Sequence, residues 1–305
     1  MIRQFLFILI LLFPLRLAGQ LFTLSDQYKN NTLSINPAFA GSNDALSLTA
    51  IHRNQWNGFE GSPVISTFTV HTPLHKDRIG LGLMVSDGSY GIFRESVIAG
   101  NYAFRIKMQR GILAMGLGFG ATISNVAWNE LHPYDPDDDL LTNRPVRAVL
   151  PDLSLGTFYK SKRFFLGVSM PCFLTHNFNH TTGKYTIENN YRNYNIFLEG
   201  GYYLKITKGI QLLPSVLVRY QPGNTAGLSY NAELIFNDVF SIGGGYRGKD
   251  IVMGLLQLNL NRQIMLAYSY DINMRTMSGY AGGTHEFALN YTFIFSRRAL
   301  GPRQF

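Results

Sequence analysis

The sequence predicts an all-β fold: a transmembrane antiparallel β-barrel of about fourteen strands. Three observations carry this. Runs of 9 to 14 residues alternate apolar and small or polar side chains with period two. Charged residues make up 15% of the chain, against roughly 25% in typical soluble domains. Short turns alternate along the chain with longer connections, as in barrels of outer membranes.

The first element is a leader. Residues 1–19, "MIRQFLFILILLFPLRLAG", carry Arg3, an apolar core and the small pair Ala18 and Gly19. This is the layout of a cleaved secretory signal, with cleavage expected near Gly19–Gln20. Cleavage removes Arg3 and Arg16 and lowers the formal charge from +8 to +6. The remaining cations are scattered in short turns, whereas nucleic-acid binding wants a continuous basic stripe. The single cysteine, Cys172, excludes an internal disulfide framework.

Residues 20–44 form a separate N-terminal segment on the periplasmic side, expected to fold against the lumen or its mouth as a plug or as part of a partner surface. It includes "SINPAFAGSND", with turn signals at Asn36–Pro37 and Gly41–Asp44. Leu33, Ile35 and Phe39 make it too apolar for a solvated tail. Residues 45–305 follow as the barrel with a short C-terminal tail. Strands are expected at 45–54, 63–72, 78–86, 94–106, 111–124, 151–160, 164–171, 192–204, 209–220, 226–236, 239–247, 251–261, 263–272 and 284–296.

The run "GILAMGLGFGATIS" at 111–124 is the most telling. Its glycines would cripple a helix, at about 1 kcal/mol each against alanine. As a strand it places Leu113, Met115, Leu117 and Phe119 on one face. Ala114, Gly116, Gly118, Gly120 and Thr122 take the other. A lipid-facing side and a bare lumen-facing side follow, the glycines facing a lumen or admitting an inner segment. Gly116, Gly118 and Ala121 also fit a dinucleotide fingerprint, but no helix-like pattern follows. "GGGYRG" at 243–248 fails the same way.

The short connections include "KMQR", "SKR" and "KITK"; the longer ones include "NGFEGSP", "DGSYGIF" and the stretches 126–150 and 172–191. Short turns at one rim and long loops at the other imply periplasmic termini. Export and this architecture together predict residence in the outer membrane of a Gram-negative envelope.

Candidate chemistry is sparse. Asp135, Asp137 and Asp139 alternate in the longest loop, but an EF-hand spacing would need Gly and Glu where Leu140 and Val146 stand. His71 with His75, and His176 with His180, have a helical ligand spacing on strand or loop sequence. No Ser/His/acid set stands out, so no catalytic residue, metal or cofactor is expected. Arg53, Gln55, Glu199, Arg219, Glu233, Arg247 and Asp271 are mostly expected to face the lumen. Charges there must be paired or wet. They read either as an ion-pair network that stiffens the barrel or as a lumenal docking surface. Trp56 and Phe59 are expected at the outer rim.

The stretch 34–73 carries a resemblance. Asn36, Pro37, Ala38, Ala40 and Gly41 form an N-P-A-x-A-G segment. Arg53, Gln55 and Trp56 form R-x-Q-W, and Gly61 and Pro63 form G-x-P. With "NYAF" at 101–104, "LLPSVLVRYQP" at 212–222, "AYSYD" at 267–271 and "GTHEFALNY" at 283–291, the chain resembles the PorP/SprF family of type IX secretion proteins. The tail "GPRQF" departs from the cysteine-containing end of some members. The resemblance implies a non-enzymatic barrel. Its partners would be other secretion components, or a secreted adhesin whose C-terminal domain it holds at the surface of a gliding cell. No small-molecule substrate or nucleic acid is expected. The alternative is a porin, or a fourteen-stranded hydrophobic-solute transporter with an N-terminal hatch.

Overall fold

The computed structural model describes residues 25–74, 77–127, 130, 147–179, 184–188, 190–223, 226–248, 250–274 and 282–294. The leader, the acidic stretch 135–139, His75, His180 and the C-terminal tail lie outside the described residues. The strands are β1 Leu46–Asn54, β2 Val64–Leu74, β3 Ile79–Tyr90, β4 Phe93–Met108, β5 Gly111–Val126, β6 Arg147–Ser161 and β7 Phe164–Met170. Then come β8 Thr175–Asn179, β9 Lys184–Glu188, β10 Ile196–Tyr202, β11 Leu204–Lys205 and β12 Ile210–Tyr220. The last five are β13 Gly227–Phe236, β14 Phe240–Arg247, β15 Ile251–Asn259, β16 Ile264–Asn273 and β17 Thr284–Phe293.

Fourteen strands close into one antiparallel barrel, counting β11 as the continuation of β10. Each strand pairs with its barrel neighbour, and β17 returns to β1 from Leu46↔Phe293 to Asn54↔His285. The pairing of β10 with both β7 and β12 completes the ring. Closure leaves no strand of the barrel without a neighbour on either side, which a chain surrounded by hydrocarbon requires. Among the described residues no helix is long and apolar enough to cross a membrane.

The outer face is apolar. Leu117 and Phe119 are 46% and 63% exposed, and Leu81, Leu83, Phe104, Ile242 and Leu256 point the same way on their strands. Along β5 the opposite face holds Ala114, Gly116 and Gly118, all buried. Buried residues of the other strands share the inward parity: Ser47, Thr49, Ile51 and Arg53 on β1, and Asn101, Ala103 and Arg105 on β4. The packed core therefore lies inside the ring.

The structure corrects four boundaries. The stretch 172–191 is not only a loop: β8 and β9 form a hairpin that pairs with itself, too short and polar for alternation to reveal. The "DGSYGIF" connection shrinks to a turn at Gly91–Ile92, because β3 runs on to Tyr90 opposite Phe93. Strand β6 begins at Arg147 rather than near Pro151, because β5 extends equally far and pairs past the proline. Run 192–204 also starts late, since Tyr191–Asn193 is a 3-10 turn.

Candidate functional site

The lumen holds the chain's own residues 25–44. They touch inward side chains all round the ring: Glu286 on β17, Thr69 on β2, Ser215 on β12, Glu233 on β13 and Glu199 on β10. Ser25 and Asp26 meet Glu286 and Arg53 near the long-connection ends of β17 and β1. Ser42 and Asp44 meet Lys160 and Arg105 at the short-turn end. The segment thus runs the length of the lumen and then turns into β1.

Its local shape follows from its sequence. Two 3-10 turns span Thr32–Ser34 and Pro37–Phe39. Asn36 caps the second: its Oδ1 accepts from the Ala38 N–H at 3.1 Å, a role suited to Asn. Pro37 opens the turn where a missing N–H costs nothing. The Asn36 Nδ2 donates to the Thr157 carbonyl at 3.1 Å and to Glu199 Oε1 at 3.2 Å. Gly41 has φ +75°, a left-handed backbone that disfavours any side chain.

The segment lies against strand glycines. A Cβ at Gly116 would collide with the backbone at Pro37 and Ala38, one at Gly80 with the Ala40 carbonyl, and one at Gly156 with Asn36. Gly118 differs: there a Cβ would meet Ser154 and Asn101 of the neighbouring strands. Phe39 fills the remaining space, edge-on to Phe158 at 5.2 Å and to His71 at 5.5 Å. Leu33, Ala38, Phe39 and Ala40 make one apolar cluster with Ala103, Ala114, Phe158, Phe165 and Leu213.

The other wall holds the segment by charge. Arg53 Nη1 donates to Asp26 Oδ2 and to Glu286 Oε2, both at 2.7 Å, and its Nη2 donates to Asp271 Oδ2 at 2.8 Å. Arg247 pairs with the other Asp26 oxygen. Glu286, fully buried, also accepts from the backbone N–H of Asp26 and Gln27 at 3.2 and 2.9 Å. Asp26 is thus held between two guanidiniums, those of Arg53 and Arg247. Lys29 pairs with Glu233 at 2.5 Å.

Of the residues singled out from sequence, Arg53, Arg247 and Asp271 meet in this network, and Glu233 makes a separate ion pair with Lys29 of the segment. Glu199 is buried against Asn36, and its Oε2 has no hydrogen-bond partner among the described residues. Arg219 has inward parity, beside Gly227. Gln55 follows β1 in the rim turn and its N–H donates to the Pro63 carbonyl at 2.9 Å. Trp56, with φ +52°, and Gly61, with φ +71°, shape that turn. Asn57 ties it to Gly282 and Gly283 before β17, and Phe59 is exposed there. Sequence reasoning missed Asp26, Lys29 and the role of Glu286. The partners of Glu286, Arg53 and Asp26, lie 233 and 260 residues away in the chain, and nothing local marks Asp26.

A closed, lipid-faced barrel whose lumen carries its own N-terminal segment defines the chain as an outer-membrane β-barrel protein with an internal segment. The family described as "Type IX secretion system membrane protein PorP/SprF" matches residues 19–291. The chain belongs to that family. No curated protein matches it in sequence. Among solved structures it is similar to the Acinetobacter baumannii outer membrane protein Omp33, with TM-score 0.47, 5% identity, and 82% and 99% of the two chains covered. It is also similar to a TodX deletion mutant titled a monoaromatic hydrocarbon channel, with TM-score 0.49, 12% identity, and 92% and 98% covered. A KdgM porin matches with TM-score 0.36, 9% identity, and 81% and 99% covered.

Proposed function

We propose that this chain acts as a closed, non-enzymatic docking barrel of type IX secretion: it holds another secretion component or the C-terminal domain of a secreted adhesin, and does not conduct solutes. One observation carries the reading. Residues 25–44 run through the whole lumen and are tied to both walls, by backbone contact at Gly80 and Gly116 and by the buried Arg53 network. An open porin keeps a wet lumen; a segment with buried ion pairs would have to leave first. The long connections face outward and the short turns face the periplasm.

The test is conductance of the intact protein in a planar bilayer, together with co-purification from native outer membranes. The intact barrel should stay closed. Deleting residues 33–43 should leave a barrel that inserts, but that conducts or fails to recover an identified secretion component or adhesin domain. An intact barrel that conducts like a porin, with the deletion changing neither readout, would replace docking with transport. Orientation is checked in a Cys172→Ser background: a cysteine at Glu60 should label with a membrane-impermeant reagent on whole cells, and one at Lys208 should not.

A further inference from the structure

At the short-turn end a cavity of about 1160 Å³ opens between the end of the lumenal segment and the β4–β5 and β6–β7 turns. That is larger than the roughly 300–1,000 Å³ of small-ligand pockets. Its charge is nearly of one sign. Arg105, Lys107, Arg110, Lys160, Lys162 and Arg163 line it, against the single carboxylate of Asp44. Arg105 lies deepest, 2% exposed. Its Nη2 donates to Asp44 Oδ1 at 2.5 Å, while its Nε and Nη1 have no hydrogen-bond partner among the described residues. A buried guanidinium with two unfilled donors is costly and calls for an acceptor. Among the described residues Lys160 donates to a neutral oxygen, the Ser42 carbonyl at 3.2 Å. Apolar and aromatic side chains, among them Ala114, Ile112, Phe158, Phe164 and Tyr202, line it as well, beside Ser42, Gln109 and Ser161.

We propose that this mouth binds an acidic peptide segment of the docked partner, its carboxylates on Arg105 and Lys160 and its apolar side chains against Phe158 and Phe164. The proposal rests on the docking reading and names the face and the partner's chemistry. The mixed lining and the size favour a peptide over a small anion. The chain's C-terminal tail carries Arg297, Arg298 and Arg303 and no Asp or Glu. Its acidic stretch 135–139 joins β5 to β6, whose facing residues Asn125 and Arg147 pair at the opposite rim. Cationic contacts at such a rim set encounter rate and selectivity and weaken with salt.

The test uses the full-length chain in lipid nanodiscs and a fluorescent peptide alternating Glu and Leu. A Gln–Leu peptide and inorganic phosphate serve as comparisons. The acidic peptide should bind, and its affinity should fall by about tenfold or more in Lys160→Glu and on raising salt. Lys205→Glu and Lys208→Glu, at the same rim but outside the cavity, should leave it unchanged. The site is overturned if the Gln–Leu peptide binds equally, if Lys160→Glu has no effect, or if phosphate displaces the peptide as well as the peptide displaces itself. In native membranes, partner recovery lost on deleting 33–43 but kept in Lys160→Glu overturns this mouth and leaves docking standing. A conducting intact barrel overturns docking while the peptide assay still reads the mouth.

Discussion

The two walls of the lumen hold one segment by opposite means. On the β3–β7 side the strands have shed their side chains, and residues 36–41 lie directly on Gly80, Gly116 and Gly156. On the β13–β17 and β1 side the strands project charges, and residues 25–29 are gripped through Arg53, Arg247, Glu233 and Glu286. Close packing is unforgiving of added volume. A buried ion network depends on good geometry and does not survive the loss of a partner. One end of the segment is thus placed by shape and the other by charge.

The largest test of this contrast is Arg53→Met. It leaves Asp26, Asp271 and Glu286 buried without their shared cation, and should lower stability by about 3–5 kcal/mol, read from urea unfolding in lipid vesicles. An unchanged midpoint would show that the network contributes nothing. Gly116→Val drives a side chain into the backbone at Pro37 and Ala38 and should cost about 1–3 kcal/mol. Protease cleavage within residues 33–43 should appear in this variant and not in the parent.

Combining the two changes sharpens the comparison. Distant sites with no shared partner add to within about 0.3–0.5 kcal/mol. These two share only the segment, so a coupling above about 0.5 kcal/mol reports that it leaves the lumen as one unit. Simple additivity would mean its two ends detach independently. The smallest effect belongs to Gly254→Ala on the outer face, where an added Cβ meets nothing within 4 Å. Its unfolding midpoint should shift by under about 0.5 kcal/mol; a large loss there would undo the assignment of inner and outer glycines.

Much of the barrel was legible. Parity along β5 separated Leu117 and Phe119 from Gly116 and Gly118 because side-chain direction in a strand is set residue by residue. The short polar hairpin β8–β9 and the tight Gly91–Ile92 turn were not, since neither leaves a long alternating run. The site was half legible. Arg53, Glu199, Glu233, Arg247 and Asp271 stood out as charges on apolar strands. Asp26, in a stretch without periodicity, did not.

What the sequence determined by itself is the fourteen strands of the barrel, the lipid-facing parity and the turn chemistry of Asn36–Gly41. All three depend on neighbours a few residues apart. Only the tertiary structure decided which glycine meets which part of the segment, and that Arg53 finds Asp26, Asp271 and Glu286 together. Those partners lie 27, 218 and 233 residues away in the chain. Ring closure and strand register bring them together, and no local pattern encodes either.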